Sequence, residues 1–218
     1  SLKSASSCKY ALVVGVNEYK NETRYPPLHG CAEEAQAFGE LLSANGDGSE
    51  NFGKSNIQYL LNTEVTKTEL GISAHKLLGK KADLLVFYFS GHGADIDAGG
   101  VLVTHDSRPG EEGLMMNDLI RWASLSPAKS IILVLDCCYS GQMGNLDLVS
   151  LTGKRIAQLP EKVAILTASA HNQPAAMHKG HSLFTKTINK GLKGAASNAY
   201  GEITLPLLYE FVAQEFEK

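Results

Sequence analysis

The sequence predicts an α/β fold: a layered α/β/α sandwich around a mostly parallel sheet of about six strands, with helices on both faces. Three observations lead there. Short apolar runs alternate with amphipathic stretches along the whole chain. The runs are almost unbroken in Val, Ile, Leu and Phe, the pattern of strands covered on both sides. The third and fourth runs each lead into a reactive residue, His92 and Cys138, and open parallel sheets form their sites beyond the carboxyl ends of strands.

Tyr10-Ala-Leu-Val-Val-Gly-Val16 is the first strand. After Pro26-Pro27, a helical pattern runs from Cys31 to about Ala44, with Ala35, Phe38, Leu41 and Leu42 on one face, and Gly46-Asp-Gly48 ends it. Ile57–Leu61 reads as a second strand and Thr66 to Leu78 as a second helix. Ala82 to Phe89 is a strongly apolar third strand, followed at once by Ser90-Gly-His-Gly93. A helix over Leu114 to Leu125 precedes the fourth strand, Ser130 to Leu135, which ends in Asp136-Cys-Cys138. The fifth strand lies within Glu161 to Ala168, and a helix spans Ser182 to Leu192. Thr204 caps a last helix that turns Leu207, Leu208, Phe211, Val212 and Phe216 inward.

Composition narrows the function. The chain has 218 residues, enough for a substantial core. Twenty basic and 23 acidic residues leave a net charge of −3, so no nucleic-acid or membrane partner is expected. No apolar run approaches the ~18–20 residues of a membrane span. The opening Ser1-Leu-Lys-Ser-Ala-Ser-Ser7 has no initiator Met. The expectation is a single domain, 1–218, cut from a longer protein whose other domains are among its partners. The cysteines are Cys8, Cys31, Cys137 and Cys138. Two are adjacent and none forms a C-x-x-C pair, so a disulfide framework and a zinc site are not expected. A reducing, cytoplasmic setting fits such usage.

Two short segments carry the chemistry. Glycines flank His92, which allows a tight turn and leaves the imidazole uncrowded. Asp136-Cys-Cys-Tyr-Ser-Gly141 presents a thiol in the same way. A thiol is a nucleophile as thiolate, and an imidazole within reach can take its proton and later protonate a leaving amine. A lone buried cysteine is usually inert core, and a lone histidine is usually surface or satisfied core. Both residues at strand ends, in glycine-bearing segments, point the other way.

Four stretches extend this pair: Ala11-Leu-Val-Val-Gly-Val-Asn17, Leu28-His-Gly-Cys-Ala-Glu-Glu-Ala35, Phe87-Tyr-Phe-Ser-Gly-His-Gly93 and Leu133-Val-Leu-Asp-Cys-Cys-Tyr-Ser-Gly141. His181-Ser-Leu-Phe-Thr185 follows the fifth strand. Together they resemble the caspase-like cysteine peptidases, and within them the metacaspases and their bacterial relatives. The His-to-Cys spacing is near the ~50 residues of caspases.

The resemblance implies a cysteine endopeptidase with His92 as acid/base and Cys138 as nucleophile. Cys138 is preferred over Cys137 because the family's nucleophile is the second residue after the aspartate; Cys137 reads as a buried strand end pointing the other way. The backbone N–H groups of Gly93 and Cys138 would hold the oxyanion. Metacaspases carry an aspartate where Asp136 stands, and it pairs with Arg or Lys of the substrate. The rest of that pocket maps to Cys31, Glu34 and Ser90, with Glu34 replacing the usual aspartate. The expected partners are therefore proteins or peptides with Arg or Lys before the scissile bond. Lys154 and Arg155, in the segment between Cys138 and the fifth strand, make self-processing an expectation.

No cofactor is expected. Many metacaspases are activated by calcium, but Asn117-Asp118 and Asn145 place amides where the family often has carboxylates, which weakens calcium activation here. Asp95, Asp97, Asp106, Glu111 and Glu112 read as a solvated loop. His178 and His181 lack a third ligand, so no metal is expected. The glycines at 91, 93, 99 and 100 do not follow a phosphate-loop spacing. Lys186, Lys190 and Lys193 read as a wet helix face. The rival reading is a caspase-like recognition or assembly module with an idle thiol.

Overall fold

The computed structural model of the chain describes residues 8–45, 49–97, 99–139, 160–167, 177–178 and 181–216; the side chains of 138–139, 177–178, 181–182 and 216 lie outside that description. Along the chain run β1 (Lys9–Gly15), α1 (Cys31–Ser43), β2 (Ile57–Leu61), α2 (Lys67–Leu78), β3 (Leu84–Ile96), β4 (Gly99–Arg108) and β5 (Glu111–Met115). Then come α3 (Met116–Leu125), β6 (Ser130–Tyr139), β7 (Val163–Thr167), the short β8 (Met177–His178) and β9 (His181–Ser182), α4 (Leu183–Lys190) and α5 (Leu205–Phe216). Five parallel strands in the order β2-β1-β3-β6-β7 form the spine. β4 and β5 add an antiparallel pair, making seven strands in one sheet.

The side-chain alternation of these strands builds two cores. Leu85, Phe87 and Phe89 of β3 face α2 and α3, packing with Leu70, Leu77, Leu119 and Ala123. Val86 and Tyr88 face the other way, toward Phe38 of α1, Ile188 of α4 and Leu208 of α5. Each of these large apolar side chains contributes about 1.5–3 kcal/mol by burial. The predicted layering is therefore what forms.

Three helix starts show why the chain turns where it does. Asn17 Oδ1 accepts hydrogen bonds from the backbone N–H of Cys31 (2.9 Å) and Ala32 (3.3 Å), capping α1 from a distance in sequence. Thr66 Oγ1 accepts from Glu69 N at 3.1 Å and caps α2. For α5, the Thr204 contribution is its carbonyl, which accepts from Leu208 N at 2.9 Å. Leu208 and Val212 of that helix are buried, while Leu207 and Phe211 are half-buried. Phe216's side chain lies outside the described residues, as do Gly46, Asp47 and Gly48.

Two sequence expectations are corrected. Gly91-His-Gly93 is not a tight turn: β3 runs straight through it to Ile96, paired with β6 as far as Gly93↔Tyr139. Beyond the end of β1, β4 takes over the free edge of β3, from Gly93↔Leu102 to Ile96↔Gly99. The cross-strand bonds keep this segment extended. Gly91 serves close packing instead, since a Cβ there would stand 2.8 Å from the Tyr19 hydroxyl.

The second correction concerns the acidic stretch read as a solvated loop. Its residues belong to β3, the following turn, and the β4–β5 hairpin. Asp95 and Asp97 are exposed there, but Glu112 is only 5% exposed and lies 3.4 Å from the Arg24 guanidinium. The hairpin also absorbs Leu114 and Met115, so the helix starts at Met116. Lys186, Lys190 and Lys193 are exposed, as expected of a wet face, and Lys190 pairs with Glu215 at 2.9 Å. Among the described residues, no helix is long and apolar enough to cross a membrane.

Candidate active site

The register between β3 and β6 sets the site. Ser90 is the cross-strand partner of Asp136, Gly91 of Cys137, and His92 of Cys138. Parallel neighbours lie about 4.8 Å apart, so residues from two distant sequence segments meet at the carboxyl end of the sheet. Gly15 of β1 pairs with Ser90 from the other side. A Cβ on Gly15 would meet the Cys31 carbonyl at 2.5 Å, so its bareness lets α1 begin directly against the strand ends.

His92 is held by the loop that follows β1. Its backbone N–H donates to Tyr19 Oη at 2.8 Å, and the Tyr19 hydroxyl donates to the Val16 carbonyl at 3.2 Å. The rings of Tyr19 and Tyr25 pack against the imidazole at 4.8 and 5.8 Å between centroids. Nε2 lies 2.8 Å from the Pro26 carbonyl. A carbonyl only accepts, so Nε2 carries the proton and Nδ1 is the basic nitrogen of the neutral ring. Tyr19, Tyr25 and Pro26 had no marker in the sequence beyond the resemblance of their surroundings, because they reach His92 only through the folded loop.

Burial pushes the His92 pKa below its ordinary 6.5, and the Pro26 carbonyl partly offsets this. The unfolded chain then binds more protons than the folded one as pH falls through the ordinary histidine range. Stability contributed by neutral His92 is present above about pH 6.5 and is lost on the acid side. Urea melts between pH 7.5 and 5 should show this slope, and His92→Gln should flatten it. An unchanged slope in the variant would contradict the assignment.

Asp136 lies in a buried polar cluster on the α1/α4 side. It is 5% exposed, and Thr185 Oγ1 of α4 donates to its Oδ2 at 2.5 Å. With its proton committed there, Thr185 Oγ1 accepts from the Tyr88 hydroxyl at 2.7 Å. Glu34, 6% exposed on α1, and Ser90 complete the group. Burial raises the Tyr88 pKa well above 10.0, and the charges of Asp136 and Glu34 raise it further against the Thr185 and Ser90 hydrogen bonds. Tyr88 therefore stays a neutral donor. Cys31 sits at the first residue of α1, one turn before Glu34, and is buried.

Tyr88 and Thr185 are the members of this cluster that the sequence did not single out. Thr185 stands in His181–Thr185, a stretch already matched to a family segment, and Tyr88 lies two residues before Ser90. Cys137 is 4% exposed and packs in the core on the α2/α3 side. Lys154, Arg155 and Asn145 lie outside the described residues; Asn117 and Asp118 are in the first turn of α3.

The family model described as the caspase domain matches residues 8–218, which takes in every element described above. The chain belongs to the caspase-domain family. That family is one of cysteine peptidases, and its α/β fold is the one seen here. Comparison with curated proteins returns no match. Within a caspase domain, the end of the sheet where β3 and β6 bring together His92 and Cys138 is the natural place to look for catalysis.

Proposed function

We propose that this caspase domain is a cysteine endopeptidase of the metacaspase or bacterial branch that cleaves after Arg or Lys. The observation that carries the reading is two alternate cross-strand pairs, Ser90 with Asp136 and His92 with Cys138, with Gly91 and Cys137 between them. The same register that joins a base to a thiol-bearing residue sets a buried carboxylate two residues from the nucleophile.

The chemistry follows from those groups. His92 Nδ1 takes the thiol proton of Cys138, and Sγ attacks the carbonyl carbon of the scissile bond. The backbone N–H groups of Gly93 and Cys138 bind the oxyanion, each such donor being worth roughly 3 kcal/mol of barrier. As the tetrahedral intermediate collapses, His92 gives its proton to the leaving amine. Water, deprotonated by His92, then attacks the thioester, and the proton returns to Sγ. No metal or organic cofactor enters this sequence.

Specificity rests on Asp136 and Glu34. Two carboxylates this deeply buried are costly without donors or a cation. Thr185 supplies one donor to Asp136; the guanidinium or ammonium of a substrate supplies positive charge, with Ser90 and Cys31, both buried, as the remaining pocket residues.

The deciding assay incubates the protein with fluorogenic peptides ending in Arg, Lys or Asp. Cleavage of the basic peptides alone is expected. Preference for the Asp peptide would overturn the pocket assignment, and no cleavage of any would favour a recognition or assembly module. Self-processing after Lys154 or Arg155 is a further expected result. Intact-mass spectra after long incubation, with and without calcium, should show two fragments for the wild type and an uncut chain for Cys138→Ala. A single uncut mass from protein that cleaves added peptides would exclude self-processing and leave the peptidase reading standing.

A further inference from the structure

Away from the strand ends, an open groove of about 1300 Å³ lies between the outer face of α2, the β4–β5 hairpin and Trp122 of α3. Its rim is basic in a chain whose net charge is −3. Lys20, Lys67 and Lys76 line it, are exposed, and make no side-chain ion pair or hydrogen bond with the described residues. Arg108 is paired with Glu111. Ile72 stands 57% exposed on the groove's wall, one turn from His75, whose ring meets Trp122 edge-on at 5.2 Å. Ser107, on the hairpin, is 2% exposed, and its buried Oγ has no hydrogen-bond partner among the described residues. Buried hydroxyls are normally satisfied, so this one marks a place where a polar group from elsewhere would gain.

We propose that this groove is a docking site, separate from the dyad, for an extended acidic segment of a partner protein in which carboxylates alternate with apolar side chains. The three lysines supply the charge complement, Ile72 and Trp122 the apolar contact, and Ser107 a hydrogen bond. The volume exceeds the roughly 300–1,000 Å³ of small-molecule pockets. A nucleic-acid backbone fits less well, because Asp106 and Glu111 also line the groove and would repel phosphates. A peptide brings N–H donors to the same carboxylates. The α2 N-terminus is not the attractant, since Asp106 Oδ1 already accepts from Lys67 N at 2.9 Å.

The single tryptophan makes the site observable. An octapeptide alternating Glu and Leu is titrated into the protein by calorimetry, and in parallel by Trp122 emission. Saturable heat with a matching change in emission is expected. Lys20→Glu combined with Lys67→Glu and Lys76→Glu should weaken binding at least tenfold, and Lys76→Glu alone should weaken it measurably. Circular dichroism establishes that each variant is folded. A neutral octapeptide alternating Gln and Leu should bind at least tenfold more weakly, and a single-stranded oligothymidylate should bind more weakly than the acidic peptide. The proposal fails if the acidic peptide gives no saturable heat, or heat without a change at Trp122. It also fails if the charge variants bind as well as the wild type, or if the neutral peptide or the oligonucleotide binds equally well or better.

Discussion

Replacing Cys138 with Ala should reduce peptide cleavage by at least about 10⁴-fold and abolish labelling by a thiol-reactive peptide. Removing the nucleophile of a dyad leaves only binding and oxyanion stabilisation, so losses of this order are the rule. Cys137→Ala is the contrasting case. Its side chain is buried in the α2/α3 core, where loss of the sulfur removes packing atoms and costs on the order of 1 kcal/mol of stability. Turnover should stay within a few-fold of wild type. Mass mapping of the labelled cysteine decides between the neighbours, and label on Cys137 would refute the assignment.

Asp136→Asn should lower kcat/KM on Arg and Lys peptides by about 100-fold, equivalent to ~2.7 kcal/mol, while leaving the fold intact. The amide keeps the shape and can still accept from Thr185 Oγ1, so the lost charge is what the assay reads. Thr185→Val separates orientation from charge. It removes the 2.5 Å hydrogen bond to Asp136 and the 2.7 Å hydrogen bond with the Tyr88 hydroxyl, at a site that is 1% exposed. A smaller loss, near tenfold, is expected, with KM more affected than kcat. Equal efficiency of Asp136→Asn and wild type on basic peptides would remove the basis for Arg/Lys specificity.

The strands were legible because their residues are apolar on both faces, and that pattern survives without knowing their neighbours. β2 and α2 fall within a residue of where periodicity puts them. The β4–β5 hairpin was hidden because Asp106, Glu111 and Glu112 resemble solvated residues. Only the fold brings Arg24 to Glu112 and Lys67 N to Asp106. The Gly-His-Gly segment misled for a related reason. Glycine permits a turn, but two neighbouring strands hold this one extended.

The candidate site divides along the same line. His92, Cys138 and Asp136 stand out in the sequence through residue type and through the apolar runs that lead into them, and with the stretches around them they made the caspase family legible. Tertiary structure alone decided what holds them: the Pro26 carbonyl on Nε2, Tyr19 beneath the His92 amide, and the Tyr88–Thr185 chain leading to Asp136. Nucleophiles and bases are restricted to a few residue types, whereas a backbone carbonyl or a common hydroxyl becomes a partner only through distances that the packed chain creates.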